Sequence, residues 1–201
     1  LEWDKALYSK PKHHEINSQE TASADPTPFL FVPDNPKRVG VILVHGFLAS
    51  PAELRDFGAQ LYEQGYTTCG VRLKGHGTSP WDLRDRSWGD WMASVNKGRR
   101  IIEAFVDRYV VVGFSTGASL SLAAAAARPD RLAGTVVICP PVKFRNKSMK
   151  FVPLVYGANK IVRWLSTYEG VMPFRPNQSE HPLINYRNMP IRGLYELMRL
   201  A

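Results

Sequence analysis

Gly113-Phe114-Ser115-Thr116-Gly117 decides how this chain is read. The pentapeptide follows an apolar run, Tyr109-Val110-Val111-Val112, and opens an alanine-rich run from Ala118 to Ala127. The predicted order is strand, sharp turn, helix, with a serine at the apex. A serine in such a turn has its hydroxyl pushed out over the edge of a sheet, where it can act as a nucleophile. Glycine suits positions 113 and 117, because side chains two residues either side of the apex would collide with the neighbouring strand and helix. The helix start also aims backbone N–H groups at the place where negative charge develops in acyl transfer. Taken alone, Gly-x-Ser-x-Gly also describes a plain tight turn. The flanking elements and a second motif upstream favour the nucleophile.

That second motif closes the run Val39-Gly40-Val41-Ile42-Leu43-Val44, which is apolar on both faces, as a central parallel strand must be. It leads into His45-Gly46-Phe47-Leu48-Ala49-Ser50-Pro51. Ser50, Pro51 and Glu53 fit the N-cap, first turn and capping-box partner of a helix running to about Gln64. Leu54, Phe57, Leu61 and Tyr62 recur along it at helical spacing. A short strand is expected at Phe29–Val32, and another over Thr67–Val71. Gly75-His76-Gly77-Thr78-Ser79-Pro80 reads as a loop. A second long helix starts near Ser87, with Trp88, Trp91, Met92, Val95, Ile102 and Phe105 as core residues. Leu132–Ile138 reads as one more buried strand. Strands alternating with helices argue for an α/β fold, a mostly parallel sheet with helices on both faces. Ligands bind such sheets outside the carboxyl ends of the strands, which is where His45-Gly46-Phe47 and Ser115 both fall.

The chain of 201 residues is long enough for one sizeable core, and 44% hydrophobic content is ordinary for a globular protein. No apolar run is long enough to span a bilayer. Leu1-Glu2-Trp3-Asp4 has neither a basic n-region nor an apolar h-region. The first residue is not Met, so the sequence is expected to be part of a longer gene product. Residues 1–27 read as an irregular lead-in, residues 28–142 as the α/β core and residues 143–201 as a helical cap or lid. His13-His14 has no Cys, Asp or third His at ligand spacing, so both are read as solvated, with no metal and no cofactor expected. Cys69 and Cys139 read as two reduced core thiols, which points to the cytoplasm.

The formal charge of +8 is lopsided, since residues 143–201 hold ten Lys/Arg against three acids. Such a face could attract anionic lipid or an acidic substrate, but a solvated surface is the simpler reading. No phosphate-cradling Gly-rich loop follows a strand, and the basic residues lack the aromatic interleaving of a nucleic-acid module. Neither a nucleotide nor a nucleic acid is expected as partner. Beyond Pro140-Pro141 the apolar residues recur irregularly, as short helices and loops, until a last helix begins near Met189-Pro190.

With these segments in place, the chain resembles the α/β-hydrolase fold. More narrowly, it resembles the bacterial monoacylglycerol lipase and carboxylesterase family. Val44-His45-Gly46-Phe47 with Ser50-Pro51, Gly75-His76-Gly77-Thr78, the Trp88-Gly89-Asp90-Trp91 helix and the Ser115 turn carry the likeness, which spans about residues 28–201. The resemblance implies that Ser115 attacks an ester carbonyl and is acylated. It implies that the backbone N–H groups of Phe47 and Thr116 stabilise the oxyanion, with Phe47 also walling an acyl pocket. It makes His45 a brace of the oxyanion loop rather than the base, because His45 precedes the serine; His76 is read the same way. A small acyl ester is the implied substrate.

A serine nucleophile needs a base, and the base needs an orienting carboxylate. After Ser115 the sequence offers His181, with Asp130 at a surface turn and Glu169 and Glu180 as further acids. Glu169 with His181 could complete a triad, but both lie in the presumed cap with no buried strand before either one, so this is the less favoured arrangement. In the resembled family the acid and base follow the cap, so they are expected beyond Ala201, and a C-terminal polypeptide could complete the fold. Two other readings stay open. One is a hydrolase-fold fragment that binds a ligand or partner without catalysis. The other is acyl transfer or thioester hydrolysis on the same serine.

Overall fold

The computed structural model describes residues 1–142, 147–165, 170 and 172–201. Its helices are α1 (Glu2–Leu7), α2 (His14–Asn17), α3 (Ala52–Glu63), α4 (Pro80–Arg84), α5 (Trp88–Ile102), α6 (Thr116–Ala126), α7 (Val152–Leu165) and α8 (Ile191–Leu200). The main sheet contains β1 (Phe29–Phe31), β2 (Val39–Val44), β3 (Thr68–Val71), β4 (Arg108–Phe114) and β5 (Leu132–Ile138). Its spatial order is β1-β3-β2-β4-β5. β2 pairs in parallel with β3 and β4, β4 pairs in parallel with β5, and β1 joins the edge antiparallel to β3. This is the mostly parallel α/β architecture that the alternation of elements predicts.

The period-2 geometry of a strand explains why β2 is apolar throughout. Ile42 and Val44 face one layer, with Trp91, Val95 and Ile102 of α5 and Leu120 of α6. Val41 and Leu43 face the other, with Leu54 and Leu61 of α3. β4 alternates likewise, with Tyr109 and Val111 on the first layer and Val110 and Val112 on the second. Each such side chain removed from water contributes about 1.5–3 kcal/mol before chain entropy is counted. The register Val44↔Val71 and Val44↔Gly113 brings the carboxyl ends of β3, β2 and β4 level.

Several local expectations are corrected. Residues 1–17 are not irregular, because α1, a 3₁₀ turn at Pro11–His13 and α2 form there. They are held by partners remote in sequence: Asp4 pairs with Arg72 at 2.6 Å, and Asn17 accepts from the Ser79 hydroxyl at 2.6 Å. His13 is buried between the rings of Tyr8 and Trp81, while His14 is exposed. The stretch after Gly77 is not all loop, since Ser79 caps α4 by accepting from Trp81 N–H. Phe105 lies past the end of α5 and is exposed.

β5 is not a buried strand. It is the sheet edge, and Val136 and Ile138 are 47% and 40% exposed. Cys139, at its end, is exposed as well, so only Cys69 is a core thiol. The C-terminal residues also include a two-stranded antiparallel piece, β6 (Phe174–Pro176) with β7 (Asn188–Pro190), where loops and short helices were expected. α7 and α8 pack on each other through Val152, Val155, Leu194 and Leu197. No helix among the described residues is long and apolar enough to cross a membrane.

Candidate active site

β4 ends at Phe114 and α6 begins at Thr116, so Ser115 alone turns the chain. Its φ of 53° and ψ of −117° lie where an L side chain crowds its own backbone. Such a conformation costs about 1–3 kcal/mol and persists only when the surroundings fix it. Here the Ser115 N–H donates to the Ile138 carbonyl at 2.9 Å, and the Ser115 carbonyl accepts from Ala118 N–H at 2.9 Å. The two glycines allow the close approach. A Cβ at Gly113 would strike the Gly117 backbone and the Ser121 hydroxyl of α6. A Cβ at Gly117 would strike the Val44 carbonyl of β2 and come within 2.7 Å of the His45 oxygen. These are the helix and strand collisions expected from the sequence. The Ser115 side chain is half-buried, and its hydroxyl has no hydrogen-bond partner among the described residues.

The loop after β2 lies against this turn. A Cβ on Gly46 would sit 3.4 Å from Ser115 Cβ. Buried His45 fixes the loop from within. Its Nδ1 bonds to the Gly46 carbonyl at 2.9 Å, and its Nε2 meets Leu73 N–H at 3.2 Å. That network assigns a neutral ring with its proton on Nδ1, and leaves neither nitrogen for Ser115. The histidine therefore braces the loop, in agreement with its expected role.

Glu53 supplies the second brace, which sequence reading missed. The residue does not close a capping box: Pro51 occupies the N-cap, and the buried Ser50 hydroxyl has no partner. Instead, Glu53 Oε2 accepts from Gly46 N–H at 2.7 Å. Burial pushes the Glu53 carboxyl above its usual range, opposed by the Gly46 N–H and by the charge of His181. The sequence pattern of a capping box was present, but the loop amide held the better-placed claim on the carboxylate.

Tyr186 is the third brace, and no pattern marked it. Its hydroxyl accepts from Thr78 N–H at 2.6 Å and donates to the Gly75 carbonyl at 3.1 Å. Its backbone N–H donates to the Leu48 carbonyl at 3.0 Å, so one residue ties the Gly75–Gly77 loop to the Phe47 loop. Burial raises its phenol pKa. His76, between those glycines, is fully buried with its ring against His45, Phe47 and Trp91. Burial, reinforced by His45, pushes its pKa well below the ordinary value.

The Phe47 ring packs against Trp91 at 5.8 Å between centroids, and a Cβ on Gly193 of α8 would lie 3.0 Å from it. The ring is thus a wedge between α5 and α8. The backbone N–H groups of Phe47 and Thr116 have no acceptor among the described residues. His181 is exposed, and its backbone N–H donates to the Ser179 hydroxyl at 3.0 Å. Glu169, its suggested partner, lies outside the described residues. Asp130 is at an exposed turn. Among the described residues, no group of three or more His, Cys, Asp or Glu could hold a metal ion.

Burial lowers the His45 pKa from 6.5 to about 4. The unfolded chain therefore takes up this proton at a higher pH than the folded one. Stability from the neutral ring is complete above pH 6.5 and is lost as pH falls towards 4, by about 3 kcal/mol in all. Urea unfolding of the wild type and His45→Gln across that range checks this. The wild-type curve should fall more steeply with acid, and parallel curves would refute it.

A family model described as serine aminopeptidase, S33, matches residues 35–200. A thermostable monoacylglycerol lipase of Bacillus sp. (strain H-257) is 32% identical over 162 residues, covering 81% of this chain and 61% of that protein. A carboxylesterase of Bacillus subtilis (strain 168) is 27% identical over 176 residues, covering 87% of this chain and 67% of the relative. Among solved structures, one from work on the metagenome-derived lipolytic enzymes LipS and LipT superposes with a TM-score of 0.74 at 23% identity. It covers 89% of this chain and 69% of that one, and shows the fold. The chain spans 61% of the length of the first of these relatives.

Proposed function

The chain belongs to the family described as serine aminopeptidase, S33, and from that membership we propose that it is a serine hydrolase of carboxylic esters, of the carboxylesterase or monoacylglycerol lipase type. Ser115 Oγ attacks the ester carbonyl, the alcohol leaves, and water later releases the acyl group. The N–H groups of Phe47 and Thr116 receive the oxyanion, each worth about 3–4 kcal/mol in the transition state. One observation carries the reading. A strained serine presents a hydroxyl that no described residue engages beside a braced loop, and two amides of the adjoining backbone have no acceptor among the described residues. Esters are preferred to peptides as substrate because two relatives are named a lipase and a carboxylesterase.

The base and its carboxylate are proposed to come from further polypeptide that pairs on the open edge of β5. Two features support this: the exposed apolar side chains of β5, and the lack of any described hydrogen bond to the Ser115 hydroxyl. We read residues 143–201 as a cap over the site, and the protein as cytoplasmic. A fluorophosphonate probe, with the adduct located by mass spectrometry, tests the nucleophile. Labelling at Ser115 is expected. No labelling anywhere from pH about 6 to 9 would favour a non-catalytic, ligand-binding fragment.

Glu53 bears on the same site. Glu53→Ala removes the acceptor of Gly46 N–H, next to the proposed oxyanion donor. The Ser115 labelling rate should fall by roughly tenfold to a hundredfold, because small misplacements of catalytic groups are costly. Stability should fall by about 1.5–3 kcal/mol. Glu53→Gln keeps an acceptor oxygen and should retain most of the rate. Equal losses in both variants would show that the carboxylate charge, not the bond to Gly46, matters.

A further inference from the structure

Residues 1–27 form a strap that holds two segments at once. One set of bonds reaches the Gly75–Gly77 loop and α4. Arg72, paired with Asp4, also donates to the His76 carbonyl at 3.1 Å. The Tyr8 hydroxyl donates to Asp85 at 3.2 Å, and Asn17 accepts from the Ser79 hydroxyl. Pro26 lies so close to Gly77 that a Cβ on the glycine would fall 2.3 Å from the proline Cβ. The second set reaches residues 182–188. The Thr21 hydroxyl donates to the Pro182 carbonyl at 2.9 Å, and the N–H groups of Ser23 and Ala24 share the Leu183 carbonyl at 2.9 Å each. The strap precedes residues 35–200, the stretch that matches the family model, so membership of the family assigns it no role.

Glu20 is the centre of the second set. Its Oε2 accepts from Arg187 N–H at 2.7 Å. Its Oε1 accepts from Asn188 N–H at 2.9 Å and from the Asn188 side-chain amide at 2.8 Å. One carboxylate thus holds two consecutive backbone amides and a buried side chain. Such charge-assisted bonds are roughly twice as strong as neutral ones. The residue just before this clamp is Tyr186, whose N–H holds the Leu48 carbonyl and whose hydroxyl holds the Gly75–Gly77 loop. Leu48 needs holding. Its φ of 68° lies in the left-handed region, where a leucine stays only if its surroundings fix it. Leu48 directly follows Phe47, so the bond from Tyr186 bears on how the Phe47 amide is aimed. Three links therefore join strap to site: Glu20 to the 187 and 188 amides, Tyr186 to Leu48, and Leu48 to Phe47.

We propose that Glu20 is a positioning residue for the Ser115 reaction, setting the Phe47 amide through Tyr186 and Leu48. This role presupposes Ser115 as the nucleophile and Phe47 N–H as an oxyanion donor. Glu20 itself acts only through other residues. A carboxylate is required at this position, because glutamine offers a single acceptor oxygen and would turn its NH₂ group towards another N–H. An oxyanion donor works only when its bond forms at about 2.7–3.1 Å, so a loop that loses its hold loses rate before it loses the fold.

Fluorophosphonate labelling of Ser115, resolved into probe affinity (KI) and maximal rate (kinact), tests the reaction. Glu20→Ala should lower kinact by about tenfold or more and move KI by less than about threefold. Glu20→Gln keeps the bulk of the side chain and should lose nearly as much, and it serves if Glu20→Ala fails to fold. Tyr8→Phe removes a strap bond that does not lead to Tyr186, and should keep kinact within about twofold. Amide hydrogen exchange by NMR reads the coupling without any reaction. The Tyr186 N–H should exchange about tenfold or more faster in the Glu20 variants, with the β2 amides unchanged. An undiminished kinact in Glu20→Gln, an equal loss in Tyr8→Phe, or unchanged exchange at Tyr186 would overturn the proposal while the wild type is still labelled. A wild type that takes no label at Ser115 overturns the hydrolase reading instead, and the role of Glu20 in the reaction with it.

Discussion

Ser115→Ala is expected to abolish covalent capture by a fluorophosphonate at this turn, leaving only background, with the fold intact. The loss follows from the chemistry, because a methyl group cannot attack phosphorus and no other described serine has a positive φ. The fold should survive, since the Ser115 hydroxyl makes no hydrogen bond with a described residue, while its backbone bonds to Ile138 and Ala118 remain. Thermal unfolding should therefore move by only a few degrees. Residual labelling at another serine would refute the assignment of the nucleophile. Adding a polypeptide that supplies the base should speed labelling of the wild type and leave the alanine variant silent.

Gly117→Ala should have the largest effect on stability, about 3 kcal/mol or more. The added methyl would press on the Val44 carbonyl, which belongs to the central strand β2. β2 is hydrogen-bonded on both sides, to β3 and β4, so it cannot give way cheaply. α6 cannot retreat either, because Leu120 is fully buried in the same core. Gly157 in α7 is the control. A Cβ there meets nothing within 4 Å, so Gly157→Ala should stabilise by about 0.5–1 kcal/mol through helix propensity alone. Urea unfolding of both variants checks the pair, and similar small effects at both positions would mean that the Ser115 turn is not tightly packed.

The glycines at 113 and 117 also show how far local reasoning reaches. Their need follows from a strand-to-helix reversal over one residue, which is legible in the pentapeptide and its flanks. The same holds for β2 and β4, whose two-sided apolar runs leave no choice but burial between helix layers. Glu53 shows where such reasoning stops. A serine, a proline and a glutamate at capping spacing describe a helix start equally well whether the carboxylate caps the helix or holds Gly46, and only the position of the loop decides. Tyr186 and the Asp4–Arg72 pair lie further out of reach, since each joins segments tens of residues apart. β5 was misread because an apolar run has the same composition at a sheet centre and at an open edge.

The sequence by itself determined the α/β alternation, the serine turn and its two glycines, and the placement of His45-Gly46-Phe47 at the same sheet edge. These depend on side-chain period and on backbone sterics over a few residues. The tertiary structure alone decided which loop amide Glu53 would hold, that His45 would have both nitrogens engaged, and that β5 would lie open. Those outcomes depend on which distant groups meet once the core has packed, and short-range sequence pattern carries no information about that.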